Sequence, residues 1–161
     1  MNVFSDILWG YELTYPDDWF HTQINKMQAF TALPEALQSD YLGEKSGHLL
    51  VGAEWNAVRQ PIDPYWNRHI AMVAGMIGAK EIGSAAWQMG GGVGFEAEIR
   101  LSKREGKRLW TGVLGRGFTV LKLVVEHPRK NRDWFEPVVT NIIKSLRFPA
   151  HVPGIDDEGE G

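Results

Sequence analysis

Residues 11–19 have the sequence Tyr-Glu-Leu-Thr-Tyr-Pro-Asp-Asp-Trp, and this stretch decides the first part of the fold. Its aromatic and apolar residues alternate with polar ones, which is the pattern of a β-strand with one buried face. Pro16 fixes its own φ and has no backbone N–H, and the two aspartates after it favour a turn. The stretch therefore predicts a strand that ends in an acidic turn before Trp19.

Residues 133–148 form the second informative stretch, Asp-Trp-Phe-Glu-Pro-Val-Val-Thr-Asn-Ile-Ile-Lys-Ser-Leu-Arg-Phe. Apolar residues recur at helical spacing and predict an amphipathic helix. Asp133, with Glu136 three residues later, resembles a capping box, so we expect Asp133 to cap this helix. The predicted apolar face consists of Phe135, Val138, Val139, Ile142, Ile143 and Leu146.

Together the two stretches resemble the PsbP-like fold superfamily, which includes PsbP, the Ran-binding Mog proteins and DcrB-like proteins. In that family an aromatic-x-apolar-x-Tyr-Pro strand precedes an acidic turn and a Trp, and the last helix closes on Ser-apolar-Arg-Phe. The resemblance implies an α+β domain, an α/β/α sandwich around a central, mostly antiparallel sheet. It places Trp19 and Trp134 in the core, and it implies binding or assembly rather than catalysis.

The chain between these stretches shows further periodic segments. A hairpin is predicted around Asn25 and Lys26, and Asp63 followed by Pro64 marks the start of a helix that ends at Gly78. Period-two alternation after residue 80 indicates antiparallel strands, and the apolar run at 118–126 is expected to be a central strand. The remaining predictions are strands at 19–24, 27–31, 48–55, 93–101 and 107–114 and a short helix at 34–42.

Length and composition predict one domain, residues 1–150, followed by a disordered, acidic, Gly-rich tail at 151–161. The chain has 161 residues, 43% of them hydrophobic, and no cysteine. The first residues show no leader pattern, and no segment approaches the ~20 apolar residues needed to span a bilayer, so we expect a cytoplasmic protein without a membrane span. A net charge of −3 argues against nucleic-acid binding.

Motifs for catalysis, cofactors or metals are weak. The glycine run at 90–94 could be taken for a phosphate cradle, but such a cradle needs a helix after it, and the next residues alternate as a strand. We therefore expect a strand connection there. The five histidines include no pair at metal-ligand spacing, and no serine lies in a G-x-S-x-G elbow. The sequence predicts no catalytic residue, no cofactor and no metal site.

Aromatic content gives the stronger functional hypothesis. Seven tryptophans are many for this length, and Trp and Met are enriched where binding energy is concentrated. Trp87 and Met89 beside the glycine run, with Trp110 on a neighbouring strand, are the predicted partner-binding residues. The predicted function is non-enzymatic binding of another protein, as an adaptor, chaperone or assembly factor.

Two alternatives remain open. Glu96, Glu98 and Arg100 share one strand face, which could serve a small-ligand carrier or an unrecognised hydrolase. Cross-strand ion pairing of these glutamates with Lys107, Arg108 or Arg116 is the simpler interpretation. The third hypothesis is a homodimer formed through an edge strand, which could bury the same aromatic residues.

Overall fold

The computed structural model describes residues 1–32, 47–77, 81–100 and 107–149. Within these ranges the chain forms strands, two α-helices and a short 3-10 turn. In chain order they are β1 (Asn2–Asp6), β2 (Tyr11–Tyr15), β3 (Phe20–Ile24), β4 (Met27–Thr31), β5 (His48–Trp55), α1 (Asp63–Ile77), β6 (Glu81–Met89), β7 (Gly92–Arg100), β8 (Lys107–Arg116), β9 (Thr119–Pro128), the 3-10 turn (Arg129–Asn131) and α2 (Arg132–Lys144).

The strand pairs within the described ranges are all antiparallel. Seven strands form one sheet in the order β3-β4-β5-β9-β8-β7-β6, and β1 and β2 form a separate hairpin. Strand β9 lies fourth in the sheet, so the apolar run at 118–126 is the central strand, as predicted. The predicted α+β fold with an antiparallel sheet is confirmed.

Helices cover both faces of the sheet because neighbouring residues of its central strands point to opposite sides. Leu114 and Leu121 belong to the core beneath α2. The adjacent residues Val113 and Val120 belong to the core beneath α1. Alternation along β8 and β9 therefore builds two apolar layers from the same strands, and the predicted sandwich follows from it.

Helix α2 packs its predicted apolar face onto the sheet. Phe135, Val139, Ile142 and Leu146 are buried, and Trp19 stacks on Phe135 with 5.6 Å between ring centroids. Burial of each such side chain stabilises the fold by about 1.5–3 kcal/mol. Trp19 is thus in the core, as the resemblance implied.

Helix α1 packs on the other face and begins at Asp63, with Pro64 in its first turn, as predicted. Trp66 and Val73 are buried, and Trp66 stacks on Phe95 of β7 with 5.9 Å between ring centroids. Neither helix of the described ranges is long and apolar enough to cross a membrane.

The β1–β2 hairpin is attached to the C-terminal segment. Glu12 and Arg147 exchange two backbone hydrogen bonds of 2.9 Å each. The Thr14 N–H donates to Ser145 Oγ at 2.8 Å. The two stretches that carry the sequence resemblance are therefore bonded directly to each other. The alternate β2 residues Tyr11 and Leu13 are buried in the core beneath α2.

The glycine run contains a tight hairpin turn, as predicted for a strand connection. Gly90 and Gly91 have φ of 58° and 93°, which suits the two-residue turns that join antiparallel strands. A strand follows, so no helix N-terminus faces this turn. The Phe148 N–H donates to the Gly90 carbonyl at 3.0 Å and so connects the turn to the C-terminal segment.

Two predictions for the last helix are wrong. The 3-10 turn leads directly into α2, which begins at Arg132 with Asn131 at the N-cap, so Asp133 lies within the first turn instead of capping it. Trp134 is 44% exposed because one residue rotates the helix by about 100°, away from the buried Phe135.

Some predictions concern residues outside the described ranges. The helix predicted at 34–42, the helix end at Gly78 and the tail at 151–161 lie outside them. Strand β1 was not predicted, because residues 2–6 are largely exposed and show no apolar alternation.

Replacement of Gly90 by Ala should destabilise the protein by about 2 kcal/mol or more, because the left-handed backbone resists a Cβ. That Cβ would also meet the Leu146 carbonyl and lie 2.6 Å from Arg147 Cα. Gly83→Ala is the matched control, since a Cβ there meets no atom within 4 Å. Urea unfolding measures both variants, and equal midpoints would contradict the packing described for the Gly90 turn.

Candidate functional site

A groove lies between α2 and the strands β6 to β9. Its volume is about 480 Å³, within the range of small-molecule and side-chain pockets. We call it the groove; among the residues that line it are Trp87, Met89, Glu96, Glu98 and Trp110 from the sheet and Arg132, Glu136, Thr140, Ile143 and Lys144 from the helix. The three predicted partner-binding residues and the two predicted glutamates thus line one cavity.

Two tryptophans form the aromatic floor of the groove. Trp87 and Trp110 meet edge to face, with 5.1 Å between ring centroids and 87° between ring planes. Trp87 is only 8% exposed, while Trp110 and Met89 are partly buried. The floor therefore presents indole surface at a right-angled corner.

The strand order corrects one part of the prediction. Trp87 is on β6 and Trp110 on β8, with β7 between them, so their strands are not neighbours. The rings meet because glycines leave space: Gly94 pairs with Trp87, and a Cβ on Gly112 would lie 2.5 Å from the Trp87 ring and 2.8 Å from the Trp110 ring. Sequence reasoning named both tryptophans but not these glycines, whose role depends on the order of the strands.

The glutamates lie on β7 between the two tryptophan strands. Glu96 pairs across the ladder with Gly112 and Ala85, is partly buried and makes no hydrogen bond or ion pair with any residue of the described ranges. Glu98 pairs with Trp110 and is exposed. The sheet wall therefore carries negative charge beside indole rings.

Of the predicted cross-strand partners of the glutamates, Arg116 has a described side chain. Arg116 lies four residues beyond Gly112 along β8, where its guanidinium is 3.5 Å from the Gly91 carbonyl oxygen, so it is not opposite either glutamate. The side chains of Arg100, Lys107 and Arg108 lie outside the described part of the structure.

The helix wall carries a different set of charges. Glu136 lies 3.1 Å from Nε2 of the buried His127 and 3.4 Å from Arg132 Nε. Lys144 is exposed and has no ion-pair partner within the described residues. The groove thus has an acidic sheet wall and an opposite wall that ends in the exposed ammonium group of Lys144.

A second cavity lies on the opposite face of the sheet. It has a volume of about 370 Å³ and lies between α1, strands β5 and β9 and the β3–β4 turn. His69 of α1 lines it, and His69 Nε2 lies 2.6 Å from Thr111 Oγ1. The pKa of His69 is lowered to about 4, mainly by burial and in part by the nearby Lys122 ammonium, while Glu54 acts in the opposite direction.

The hydroxyl of Ser145 has a structural role. Ser145 bonds to the backbone of Thr14. Within the described ranges no group of three His, Cys, Asp or Glu residues could hold a metal ion. No sequence pattern indicated the His69–Thr111 pair, because its members are 42 residues apart.

Solved structures share this architecture. Cyanobacterial PsbP (CyanoP) from Synechocystis superposes with a TM-score of 0.66 and 14% identity over 92% of both chains. The fold is PsbP-like. The Ran-binding protein Mog1p from Saccharomyces cerevisiae has a TM-score of 0.55 and 5% identity over 91% of this chain and 94% of its own. LpqN, involved in cell envelope biogenesis of Mycobacterium tuberculosis, has a TM-score of 0.54 and 13% identity over 86% of this chain and 83% of its own.

The PsbP-like fold expected from the sequence is confirmed by these superpositions. Identities of 5–14% establish the fold alone. No protein-family model matches the chain, and no curated protein matches its sequence.

Acid should destabilise the protein partly through His69. The folded-state pKa is about 4 against 6.5 for an ordinary histidine, so the unfolded chain binds more protons between these values. The stabilising contribution is complete above pH 6.5 and is lost as the pH falls towards 4. Between pH 7 and pH 5, the free energy of unfolding should fall by about 2 kcal/mol less in His69→Leu than in the unmodified protein. Urea unfolding at both pH values measures this, and an unchanged pH dependence in the variant would show that His69 is not the group responsible.

Proposed function

We propose that this protein is a non-enzymatic binding protein that docks a segment of another protein in the groove, as an adaptor, chaperone or assembly factor does. The observation that carries the proposal is the corner formed by Trp87 and Trp110 beside the carboxylate of Glu96, which has no partner among the described residues. Tryptophans in partly desolvated pockets supply much of the binding energy of protein interfaces.

The chemistry of the walls defines the partner. An indole face attracts a cation, and a neighbouring carboxylate adds charge complementarity. The rest of the cavity, with Met89, Val139 and Ile143, suits an apolar side chain. The groove therefore fits a peptide segment in which a large apolar residue lies next to a lysine or arginine, with the cationic side chain towards Glu96.

The helix wall of the groove gives a bound segment a preferred direction. Lys144 lies on the helix side of the groove, across from the glutamates of the sheet. The binding free energy of a segment is most favourable if its basic residue faces the sheet and an acidic residue or a terminal carboxylate faces α2. This arrangement of charges favours one direction of the segment over the reverse.

One of the similar structures is a Ran-binding protein, so this fold can present a protein-binding surface. That likeness supports the class of function, and the groove of this chain supplies the specific chemistry.

The second candidate function is a small-ligand carrier or a hydrolase that uses the face of Glu96, Glu98 and Arg100. The cavity beside Glu96 and Glu98 favours it, because a flat row of solvated charges would offer no place for a ligand. Native mass spectrometry of the purified chain separates the two candidates, since a carrier retains a small molecule and a peptide-binding domain does not.

A homodimer is the third proposal for these surfaces. Strands β3 and β6 are the edges of the sheet within the described residues. Light scattering during size-exclusion chromatography measures the mass of the particle, and Phe20→Lys on β3 is expected to return a dimer formed at that edge to monomers.

The groove can be tested with a display library of random eight-residue peptides. Selected peptides are expected to contain an apolar residue beside Lys or Arg. Trp110→Ala should weaken the best peptide at least tenfold, because an interface tryptophan is removed. Glu96→Gln should weaken it about two- to fivefold, the contribution of a partly exposed ion pair.

Trp134→Ala is the matched control, because Trp134 is an exposed tryptophan of α2 that does not line the groove. The affinity of this variant for the best selected peptide should equal that of the unmodified protein, as measured by calorimetric titration. The proposal is wrong if no peptide is selected, or if Trp134→Ala weakens binding while Trp110→Ala and Glu96→Gln do not.

A further inference from the structure

The wall of the groove contains a buried histidine whose two ring nitrogens are both hydrogen-bonded. His127 of β9 is 2% exposed and lines the groove. Its Nδ1 lies 2.9 Å from the Pro128 carbonyl oxygen, and its Nε2 lies 3.1 Å from Oε1 of Glu136 on α2. The ring also packs against Phe135, with 5.0 Å between ring centroids. Groups of β9 and α2 therefore hold the imidazole in one orientation.

The chemistry of the two acceptors fixes the number of protons in this contact. A carbonyl oxygen can only accept, so Nδ1 of His127 must donate to Pro128. An ionised carboxylate can also only accept, whereas a neutral imidazole has a single N–H. A further proton must therefore lie between Nε2 and the Glu136 carboxylate. The contact holds one proton more than a neutral His127 beside an ionised Glu136.

Loss of this proton breaks the contact between β9 and α2. Nδ1 keeps its own proton because the Pro128 carbonyl needs a donor, so Nε2 is left with a lone pair that faces a negatively charged oxygen. The side chain of Glu136 is 34% exposed, and its other oxygen lies 3.4 Å from Arg132 Nε. Glu136 can therefore turn away from His127, towards solvent and the groove, while it keeps its contact with Arg132.

The charged groups around His127 come from several elements. Besides Glu136 and Arg132 of α2, the 3-10 turn carries the exposed Arg129 and Lys130. Arg108 is opposite His127 in the β8–β9 ladder, and its side chain lies outside the described part of the structure. Glu126, the preceding residue of β9, points to the other face of the sheet. Arginine and lysine keep their charge near neutral pH, so His127 is the group at this wall whose charge changes there.

Protonation of this contact sets the net charge of the groove. Among the described residues that line it, the carboxylates of Glu96, Glu98 and Glu136 stand against the permanent cations Arg132 and Lys144. The net charge of these five groups is 2 − 3 = −1. The extra proton of the His127 contact brings the net charge of the lining to 0, so a cationic segment meets a net negative groove only after that proton has been lost.

We propose that the His127–Glu136 contact is a proton switch of the groove. In the protonated form Glu136 is bonded to His127; in the deprotonated form its carboxylate turns into the groove, which then binds a cationic segment more tightly. The part of the inference that concerns the segment rests on the proposed function. The bound cation in turn favours loss of the proton, because the two effects are linked.

Nitrogen-15 spectra of the histidine rings test the switch without a ligand. At about pH 5 both ring nitrogens of His127 should carry protons, and at about pH 8 only Nδ1 should, over the range in which histidines titrate. At equal pH a smaller fraction of His127 should be protonated in Glu136→Gln, because an amide offers no negative charge to the imidazolium. The amide can accept from or donate to Nε2, so this variant keeps the contact in both forms.

The effect on binding is measured with the tripeptide acetyl-Leu-Lys-Leu-amide and a neutral counterpart that has norleucine in place of lysine. The indole N–H resonance of Trp110 reports binding in the groove. Between about pH 5 and pH 8 the affinity for the lysine peptide should rise about two- to fivefold, the effect of one partly exposed charge. The norleucine peptide should show no such rise. Glu136→Gln should abolish the rise, and His21→Gln, a histidine of β3 outside the groove, should retain it.

A single proton on the His127 ring at about pH 5, or two protons at every pH up to about 8, would overturn the proposal. An equal rise in affinity for the lysine peptide in Glu136→Gln and in the unmodified protein would also overturn it. If neither peptide binds at any pH, the proposed docking function is contradicted, whereas the titration of His127 and its dependence on Glu136 decide the switch itself.

Discussion

The structure depends on the backbone contact between Glu12 and Arg147. Two reciprocal hydrogen bonds and the Ser145–Thr14 pair join the first strands to the segment after α2. This contact fixes the C-terminal end of α2, and the apolar face of α2 in turn covers one side of the sheet. The groove lies between the helix held in this way and strands β6 to β9, with Trp110 among the residues that line it.

Much of the fold could be predicted because local patterns coincide with tertiary roles. The strand at 11–15 alternates, and Tyr11 and Leu13 are buried as alternation requires. The run at 118–126 is apolar on both faces because it lies between two layers. The family resemblance implied that Trp134 is buried. Trp134 instead faces solvent, because the helix rotates between Trp134 and the buried Phe135. Strand β1 carries no apolar alternation, and its pairing depends on β2 rather than on its own residues.

The candidate site was only partly predictable. Trp87, Met89, Glu96, Glu98 and Trp110 were named from composition and alternation, and they do share one cavity. Their contact depends on the order of strands and on the missing side chains of Gly94 and Gly112, which no local pattern reveals. The His69–Thr111 pair could not be predicted, because it joins a helix and a strand, and only the fold shows that this helix packs on this face of the sheet. Adjacent residues of β8 face opposite sides of the sheet: Trp110 lines the groove, and Thr111 contacts His69 of α1.

The attachment of β2 to residues near 147 also bears on synthesis. Thr14 and Ser145 are separated by 131 positions, so their hydrogen bond closes almost the whole domain. Contacts of such long sequence separation form slowly, since the entropy of loop closure must be overcome before they contribute. On a ribosome, Tyr11 and Leu13 emerge early and lack their final neighbours until the last helix has been made. Until α2 has been synthesised, the nascent chain therefore carries an apolar strand without its final neighbours, and this face of the sheet acquires its native packing only afterwards.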